Sequence, residues 1–290
     1  MSFKILLETS GKNCLPYRFK GQPDREIFLN TYTSAGYKPG NEVVFVQHGM
    51  MRNGDDYRDF WIAAADKHDL LIVAPTFPSE GFPEQEGYNN GMILSLEDGS
   101  VTPRESWIFQ VPGLIAGEMI AEGIIKEGCV RIFGHSAGGQ FLHRMVSTFG
   151  FGPFKAVGPA NAGWYSLATL EADFPAGLGG LGLDEDALRA LFATDMHIFA
   201  GLGDCNADAD NLPTNPEAIE QGPGRLQRAH NYFAKGKAMA EKLGCPFNWQ
   251  MTEVPEIAHD GCAMSAAAAG LWFEGRVPAA EELGAGGFNA

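Results

Sequence analysis

The stretch that most restricts the fold is VRIFGHSAGGQ, residues 130–140. Its first four residues are mostly apolar, as in a buried strand, and a helical pattern continues from about Ala137 to Phe149. Between the two stands GHSAG, which fits the G-x-S-x-G turn that joins a strand to a helix and holds its serine in a strained conformation. The two glycines leave room for so sharp a turn. The stretch therefore predicts an α/β fold with Ser136 exposed where a strand ends and a helix begins.

Apolar runs and helical patterns alternate along the rest of the chain. Strands are predicted at residues 3–7, 26–33, 42–47, 70–74, 129–133, 154–157, 196–200 and 248–254. Helices are predicted at residues 56–67, 106–126, 137–149, 221–243 and 261–273. Buried strands that alternate with helices are typical of a mostly parallel central sheet flanked by helices. We therefore predict one α/β domain over residues 1–290.

Two segments depart from this alternation. Residues 161–194 are rich in glycine and aromatic residues and are longer than a simple crossover between two strands. They predict a small cap or lid over one edge of the sheet, with a short helix at residues 184–192. The tail, residues 278–290, is small and polar, and we expect it to be flexible.

Charge and hydropathy limit the partners. Acidic residues outnumber basic residues by 36 to 21, so the net charge is −15. That charge repels phosphates, so no nucleic-acid partner is expected and a strongly anionic substrate is disfavoured. The sequence has no apolar run of about 18 residues, so no membrane partner is expected either. Because the N-terminus lacks the features of a secretory signal, a cytoplasmic protein is predicted, with a homo-oligomer left open.

A serine hydroxyl needs a base and an orienting acid before it can act as a nucleophile, and in this architecture both follow it in the chain. Asp204 follows the apolar run MHIFA through Gly-Leu-Gly, and we prefer it as the acid over Asp208 and Asp210 in the same loop. His259 follows the last predicted strand in VPEIAHDG and is the predicted base. His135 is set aside because we expect it to point away from its neighbour's chemistry.

An oxyanion site needs two fixed N–H donors. We expect them to be the backbone N–H of Ala137, after the nucleophile, and that of Met50, in the loop after an early strand. Apolar side chains near these positions are candidates for contact with the substrate. They are Met51, Trp164, Tyr165 and Phe174.

Other patterns are weaker. Residues 177–182 fit G-x-G-x-x-G but do not follow a strand, which disfavours a dinucleotide site. Asp204, Asn206 and Asp208 have calcium-loop spacing, but neither the required glycine nor the final glutamate follows. No metal and no cofactor are expected. The five cysteines form no CxxC pair, yet a disulfide between Cys205 and Cys262, each next to a loop of the predicted site, stays open as a hypothesis.

Four segments in this order, HGMMRNGDDYRDFW, GHSAGG, GLGDCNAD and VPEIAHDG, resemble the α/β-hydrolase superfamily. Within it the chain resembles the serine-esterase group that includes polyhydroxybutyrate-depolymerase-like and feruloyl-esterase-like enzymes, from about residue 25 to residue 275. The resemblance implies an α/β-hydrolase fold with a small cap.

The predicted function is cleavage of a small-molecule or oligomeric carboxylic ester through an acyl-enzyme intermediate. An amidase, peptidase or thioesterase would use the same residues and is the first alternative. A non-catalytic binding protein on a hydrolase fold is the second alternative and is less favoured, because the full set of serine, acid and histidine is present.

Overall fold

The computed structural model describes residues 2–284. Within them eight strands form a sheet in the order β1-β2-β4-β3-β5-β6-β7-β8. The strands are β1 (Gly11–Tyr17), β2 (Ile27–Thr33), β3 (Val43–Gln47), β4 (Leu71–Thr76), β5 (Val130–His135), β6 (Phe154–Ala160), β7 (His197–Gly201) and β8 (Gln250–Val254). Pairings that involve β1 or β2 are antiparallel, and the other pairings are parallel. The predicted mostly parallel sheet is confirmed.

Nine α-helices cover this sheet within residues 2–284. They are α1 (Ile5–Glu8), α2 (Gly54–Asp59), α3 (Ile62–His68), α4 (Val111–Ala121), α5 (Ala137–Phe149), α6 (Glu185–Phe192), α7 (Pro216–Gln221), α8 (Arg225–Leu243) and α9 (Gly261–Glu274). Within residues 2–284, none of these helices combines the length and the hydrophobicity that a membrane-spanning segment requires.

Strand β3 shows how the sheet separates two cores. All of its residues are buried, and its side chains alternate between the two faces. Val43 and Phe45 belong to a cluster with residues of α4, α5 and α8, whereas Val44 and Val46 belong to one with residues of α2, α3 and α9. A strand that is buried on both faces has a continuous apolar sequence, which is why the predicted strand at residues 42–47 agrees closely with β3.

Local predictions at the N-terminal end were wrong. Residues 3–7 were predicted as a strand, but Ile5–Glu8 is a helical turn. Phe3 and Leu6 are both fully buried, and their spacing of three fits a helix. Strand β1 was missed because all of its residues except Tyr17 are partly or fully exposed and its sequence mixes polar with apolar residues, as is common on a sheet edge.

Proline and glycine shifted the start of two predicted helices. Pro112 lies in the first turn of α4, where its missing N–H costs nothing, so the helix starts at Val111 and not at residue 106. Short 3-10 turns precede it at Arg104–Ser106 and Ile108–Gln110. The predicted helix at residues 221–243 begins only at Arg225, because Gly222 has a φ of 142° and ends α7. The predicted helix at residues 56–67 is divided into two helices, α2 and α3, by Phe60 and Trp61.

The predicted cap segment, residues 161–194, follows β6 and ends with α6. Most of it has no regular structure, and α6 begins with Asp184 as its N-cap, which accepts a hydrogen bond from the N–H of Ala187. That this segment moves as a lid stays a prediction. Part of the predicted flexible tail is packed, because Leu283 is buried; residues 285–290 lie outside the described part.

Candidate active site

The turn at Ser136 lies between β5 and α5. Ser136 has φ 59° and ψ −118°, a conformation that costs free energy for any residue other than glycine. Its backbone N–H donates to the carbonyl of Ala160, 2.9 Å away. A Cβ on Gly134 would lie 2.5 Å from the Gly138 carbonyl oxygen, and one on Gly138 would lie 2.2 Å from that of Gln47. The glycines are therefore required by close backbone contacts.

Ser136, His259 and Asp204 form a hydrogen-bonded chain. The Ser136 Oγ lies 3.0 Å from Nε2 of His259, and Nδ1 of His259 lies 2.7 Å from Oδ2 of Asp204. Each residue follows a parallel strand, β5, β8 or β7 respectively, so all three meet at the carboxyl edge of the sheet. The structure thus brings together the three residues that the sequence singled out.

Asp204 is buried, and its second oxygen is also partnered. Its Oδ1 lies 3.4 Å from a guanidinium nitrogen of Arg225, which also contacts the Asn211 carbonyl and side-chain oxygens at 3.1 and 2.6 Å. The two competing acids, Asp208 and Asp210, are both exposed. Asp260, which is next to His259 in the chain, instead caps α9 by accepting a hydrogen bond from the N–H of Ala263. Arg225 was not singled out from the sequence, because nothing local distinguishes it from a surface arginine.

His135 was expected to point away from the site, but its ring lies beside the candidate base. Its ring centroid lies 4.5 Å from that of His259, and its Nδ1 lies 3.0 Å from the Tyr57 hydroxyl. Burial, together with the nearby His259 imidazole and Arg225 guanidinium, holds the pKa of His135 well below its usual range. The ring beside His259 is therefore neutral at pH 7, so it packs against that imidazole without competing for a proton.

Asn161 joins the strand ends that carry the acid and the base. Its Oδ1 accepts a hydrogen bond from the N–H of Gly201, 2.8 Å away, and its Nδ2 donates to the carbonyl of Ala258 at 3.0 Å. Its φ of 44° is left-handed, which asparagine tolerates better than most residues. The sequence offered only a weak signal for this role, an asparagine directly after a strand.

The loop after β3 is fixed from both sides. Nε2 of His48 accepts a hydrogen bond from the N–H of Phe77, and the hydroxyl of Tyr88 donates to the His48 carbonyl at 2.8 Å. Burial lowers the pKa of His48 to about 3, so its ring is neutral. Among residues 2–284, neither the Met50 N–H nor the Ala137 N–H has an acceptor within the protein. Both are therefore available as donors near Ser136.

A cleft of about 960 Å³ opens over Ser136. One wall comes from residues 161–176 and the other from residues 205–217; these two segments are called the cleft walls below. Arg228 joins them, because one of its guanidinium nitrogens donates to the Gly163 carbonyl at 2.7 Å and to the Pro213 carbonyl at 3.0 Å.

Two of the four predicted contact residues line this cleft, Trp164 and Phe174. Tyr165 does not, because its ring is buried behind the wall and stacks on that of Tyr232, with centroids 4.5 Å apart. Met51 does not line it either; its side chain is exposed, and Met50 lines the cleft in its place.

The disulfide hypothesis was wrong. All five cysteines lie in the described part of the chain and are free thiols. Cys205 is exposed, whereas burial and the nearby Asp260 carboxylate raise the pKa of the Cys262 thiol.

Solved structures include close matches to this chain. It is 47% identical to a poly(3-hydroxybutyrate) depolymerase, LpqC, from Bordetella parapertussis, with a TM-score of 0.91 and 96% of each chain covered. It is 31% identical to poly(aspartic acid) hydrolase-1 from Sphingomonas sp. KT-1, with a TM-score of 0.86, covering 91% of this chain and 98% of that one. No protein-family model matches the sequence, and no curated protein matches it either.

More distant structures share the fold. An S-formylglutathione hydrolase from Agrobacterium tumefaciens superposes with a TM-score of 0.58 at 15% identity, over 92% of this chain and 95% of that chain. At that identity the likeness concerns the fold alone.

Proposed function

Because the chain belongs to the polyhydroxybutyrate-depolymerase-like esterases of the α/β-hydrolase superfamily, and is therefore a carboxylesterase-type hydrolase, we propose that it cleaves carboxylic esters at Ser136. The observation that carries the proposal is the hydrogen-bonded chain from Ser136 Oγ through His259 to Asp204, with distances of 3.0 and 2.7 Å. These three groups have the geometry of a nucleophile, a general base and an orienting acid.

The reaction then runs in two halves. Ser136 Oγ attacks the acyl carbonyl carbon while Nε2 of His259 takes the hydroxyl proton, and the Asp204 carboxylate holds Nδ1–H and stabilises the imidazolium. The proton passes from Nε2 to the leaving alkoxide, and the acyl group stays on Ser136 Oγ. Water activated by the same Nε2 attacks the acyl-enzyme, which releases the acid and restores the serine.

The negative oxygen of each tetrahedral intermediate needs donors that are already in place. We assign this role to the backbone N–H groups of Met50 and Ala137. What supports the assignment is that both lack a protein acceptor within residues 2–284 and that the Met50 loop is held by the Tyr88 hydroxyl. The N-terminus of α5, which begins at Ala137, adds a favourable dipole.

The test is Ser136→Ala, assayed with p-nitrophenyl butyrate. Removing the nucleophile should lower kcat by roughly 10³-fold or more and abolish labelling by a fluorophosphonate, with little change in the unfolding midpoint. Ser79→Ala is the matched control, because Ser79 is exposed and lies outside the Ser136 cleft. Near-normal turnover in Ser136→Ala would refute the assignment.

Amide hydrolysis is the second candidate, because one relative is named a poly(aspartic acid) hydrolase. The charge on the cleft lining argues against a polyanionic substrate of that kind. Its carboxylates are Glu86, Asp173, Asp210 and Glu217, and its only arginine, Arg225, is paired with Asp204. Hydrolysis of p-nitrophenyl butyrate and of the matching anilide should therefore be compared. We expect the ester to be preferred, and a faster anilide reaction would reverse the assignment.

A further inference from the structure

A buried pair of side chains, Tyr57 and His135, lies directly behind the candidate active site. Tyr57 belongs to α2, and His135 is the last residue of β5, immediately before Ser136. Both side chains are almost completely buried, and the Tyr57 hydroxyl lies 3.0 Å from Nδ1 of His135. The ester chemistry proposed above uses neither of them, so their contacts were followed outward to the groups that it does use.

One side of the pair touches the candidate base. The ring centroids of His135 and His259 are 4.5 Å apart, and a Cβ on Gly261 would lie 3.2 Å from both Nδ1 of His135 and the Tyr57 hydroxyl. Hydrogen bonds hold the two nitrogens of His259, but the imidazole can still tilt about the line that joins them. A ring packed beside it restricts that tilt, so the direction of Nε2 depends on where His135 lies.

The other side of the pair touches the loop that carries the Met50 N–H. A Cβ on Gly49 would lie 2.8 Å from the Tyr57 hydroxyl, so this hydroxyl packs directly on the main chain at Gly49. The peptide that joins Gly49 to Met50 carries the N–H assigned above to the oxyanion. A single hydroxyl therefore lies between that peptide and the ring that packs on the base.

The position of the His135 ring depends on this hydroxyl. Nε2 of His135 is buried and has no hydrogen-bond partner within residues 2–284, whereas Nδ1 has the Tyr57 hydroxyl. Without the hydroxyl both ring nitrogens would be buried and unpaired, which is costly and favours a change in the direction of the ring. Small displacements of a catalytic group lower the rate strongly, so such a change would reach the reaction through His259.

From these contacts we propose that Tyr57 is a positioning residue, whose hydrogen bond to His135 keeps the His259 imidazole aligned with Ser136 and holds the Gly49–Met50 peptide in place. Tyr57 is buried and does not line the cleft, so it acts through its neighbours and takes no part in breaking the ester bond. The inference rests on the ester hydrolysis proposed at Ser136.

The first test is Tyr57→Phe, which removes the hydroxyl and keeps the ring, assayed with p-nitrophenyl butyrate. We expect kcat to fall by about tenfold, the loss of roughly one hydrogen bond, while KM stays within about twofold. Tyr17→Phe is the matched control, because it also removes a hydrogen-bonded hydroxyl, 2.9 Å from Glu118, and three strands separate β1 from β5. Its kcat and KM should equal those of the parent.

A double-mutant cycle separates positioning from a general loss of packing. His135→Phe keeps an aromatic ring beside His259 but cannot form a hydrogen bond with Tyr57. Because either change breaks the same hydrogen bond, each single variant should lower kcat, and the double variant should lower it no further than His135→Phe alone.

A folded Tyr57→Phe protein with the kcat of the parent, or with a raised KM and an unchanged kcat, overturns the inference. Losses in kcat that multiply in the double variant overturn it as well. If circular dichroism shows one of the two single variants to be unfolded, the other is judged on its kcat and KM against Tyr17→Phe. A parent protein that does not hydrolyse p-nitrophenyl butyrate contradicts the proposed function instead.

Discussion

The Ser136 turn and the cleft walls are held in different ways. At the turn the backbone of one element touches the backbone of the next, so closely that a Cβ on Gly138 would lie 2.2 Å from the Gln47 carbonyl oxygen. The walls have little regular structure, and buried arginine side chains tie them to the rest of the protein. Arg225 and Arg228 donate to wall carbonyl groups, and Arg144 donates to the Ser166 hydroxyl.

The rigid turn is therefore suited to fix the reactive geometry, and the more variable walls are suited to determine substrate selectivity. Backbone contacts allow almost no change, so they keep the nucleophile in one place, as a reactive geometry requires. Side-chain contacts to loop carbonyls can be exchanged one at a time, so a relative can alter its walls without disturbing the turn. Substitutions in the turn and in the walls should therefore differ in how they change activity and stability.

The largest expected effect concerns the acid at the edge of the second wall. Asp204→Asn keeps the shape of the side chain but lets its amide donate to Nδ1 of His259, which favours the wrong tautomer. We expect kcat to fall by about 10⁴-fold while the unfolding midpoint changes little. Asp210→Asn is the control, because Asp210 lines the cleft in the same loop but does not contact His259. Equal losses of kcat in the two variants would mean that turnover depends on the negative charge of the loop and not on the pairing of Asp204 with His259.

The next effect tests whether the turn really is limited by backbone contact. Gly138→Ala would force β3 and α5 apart, since the clash is with the Gln47 main chain. We expect a loss of about 3 kcal/mol in the free energy of unfolding, measured by urea denaturation. Gly117→Ala in α4 has nothing within 4 Å of its new Cβ, so it should leave stability unchanged or raise it by up to about 1 kcal/mol. A Gly138→Ala protein as stable as the parent would contradict the claim that backbone contacts limit the Ser136 turn.

The sequence predicted the turn but not the contacts that hold the walls, for a physical reason. A strand, a glycine-bounded serine and a helix are local features, and the chain order of Asp204 and His259 follows from parallel strands that end at one edge. The wall contacts join residues far apart in the chain, such as Arg228 with Gly163. A buried arginine has no local sequence signature, so this pairing could not be predicted.

Tyr165 and His135 show that the sequence also failed to predict side-chain directions that depend on distant contacts. Both were judged from their nearest neighbours in the chain, yet Tyr165 stacks on Tyr232 of α8, and His135 packs against His259 from the end of β8. Which way a side chain points depends on partners that only the assembled sheet supplies. The resemblance to a family could predict the fold and the site order, but not these contacts.

A smaller effect is expected where a wall is attached to the site. Arg225→Gln removes the guanidinium that joins Asp204 to Asn211. We expect kcat/KM for p-nitrophenyl butyrate to fall by about tenfold, the cost of roughly one charged hydrogen bond, with a smaller loss in stability than in Gly138→Ala. Arg225→Lys keeps the charge and should restore part of the activity. If neither variant changes kcat/KM, the wall does not position the acid.

The smallest effect is expected at His143, which joins the two regions directly. Its Nδ1–H donates to the Gly139 carbonyl in α5, and its Nε2 accepts from the N–H of Ser166 in the first wall. Burial, with the Arg144 guanidinium nearby, holds its pKa well below the usual value, whereas the unfolded chain takes up a proton near pH 6.5. The unfolded state therefore binds more protons as the pH falls through 6.5, so this contribution to stability is present above that pH and is lost below it.

His143→Gln can keep both hydrogen bonds but cannot titrate. Between pH 7.5 and pH 6.0 we expect the parent to lose about 0.8 kcal/mol more unfolding free energy than the variant, measured by urea denaturation at both values. Comparing the two proteins cancels the effect of the other buried histidines and of the surface charge. Parallel pH dependence in the two proteins would show that His143 takes up its proton without leaving the native state, and that the contact between turn and wall opens at mild acidity.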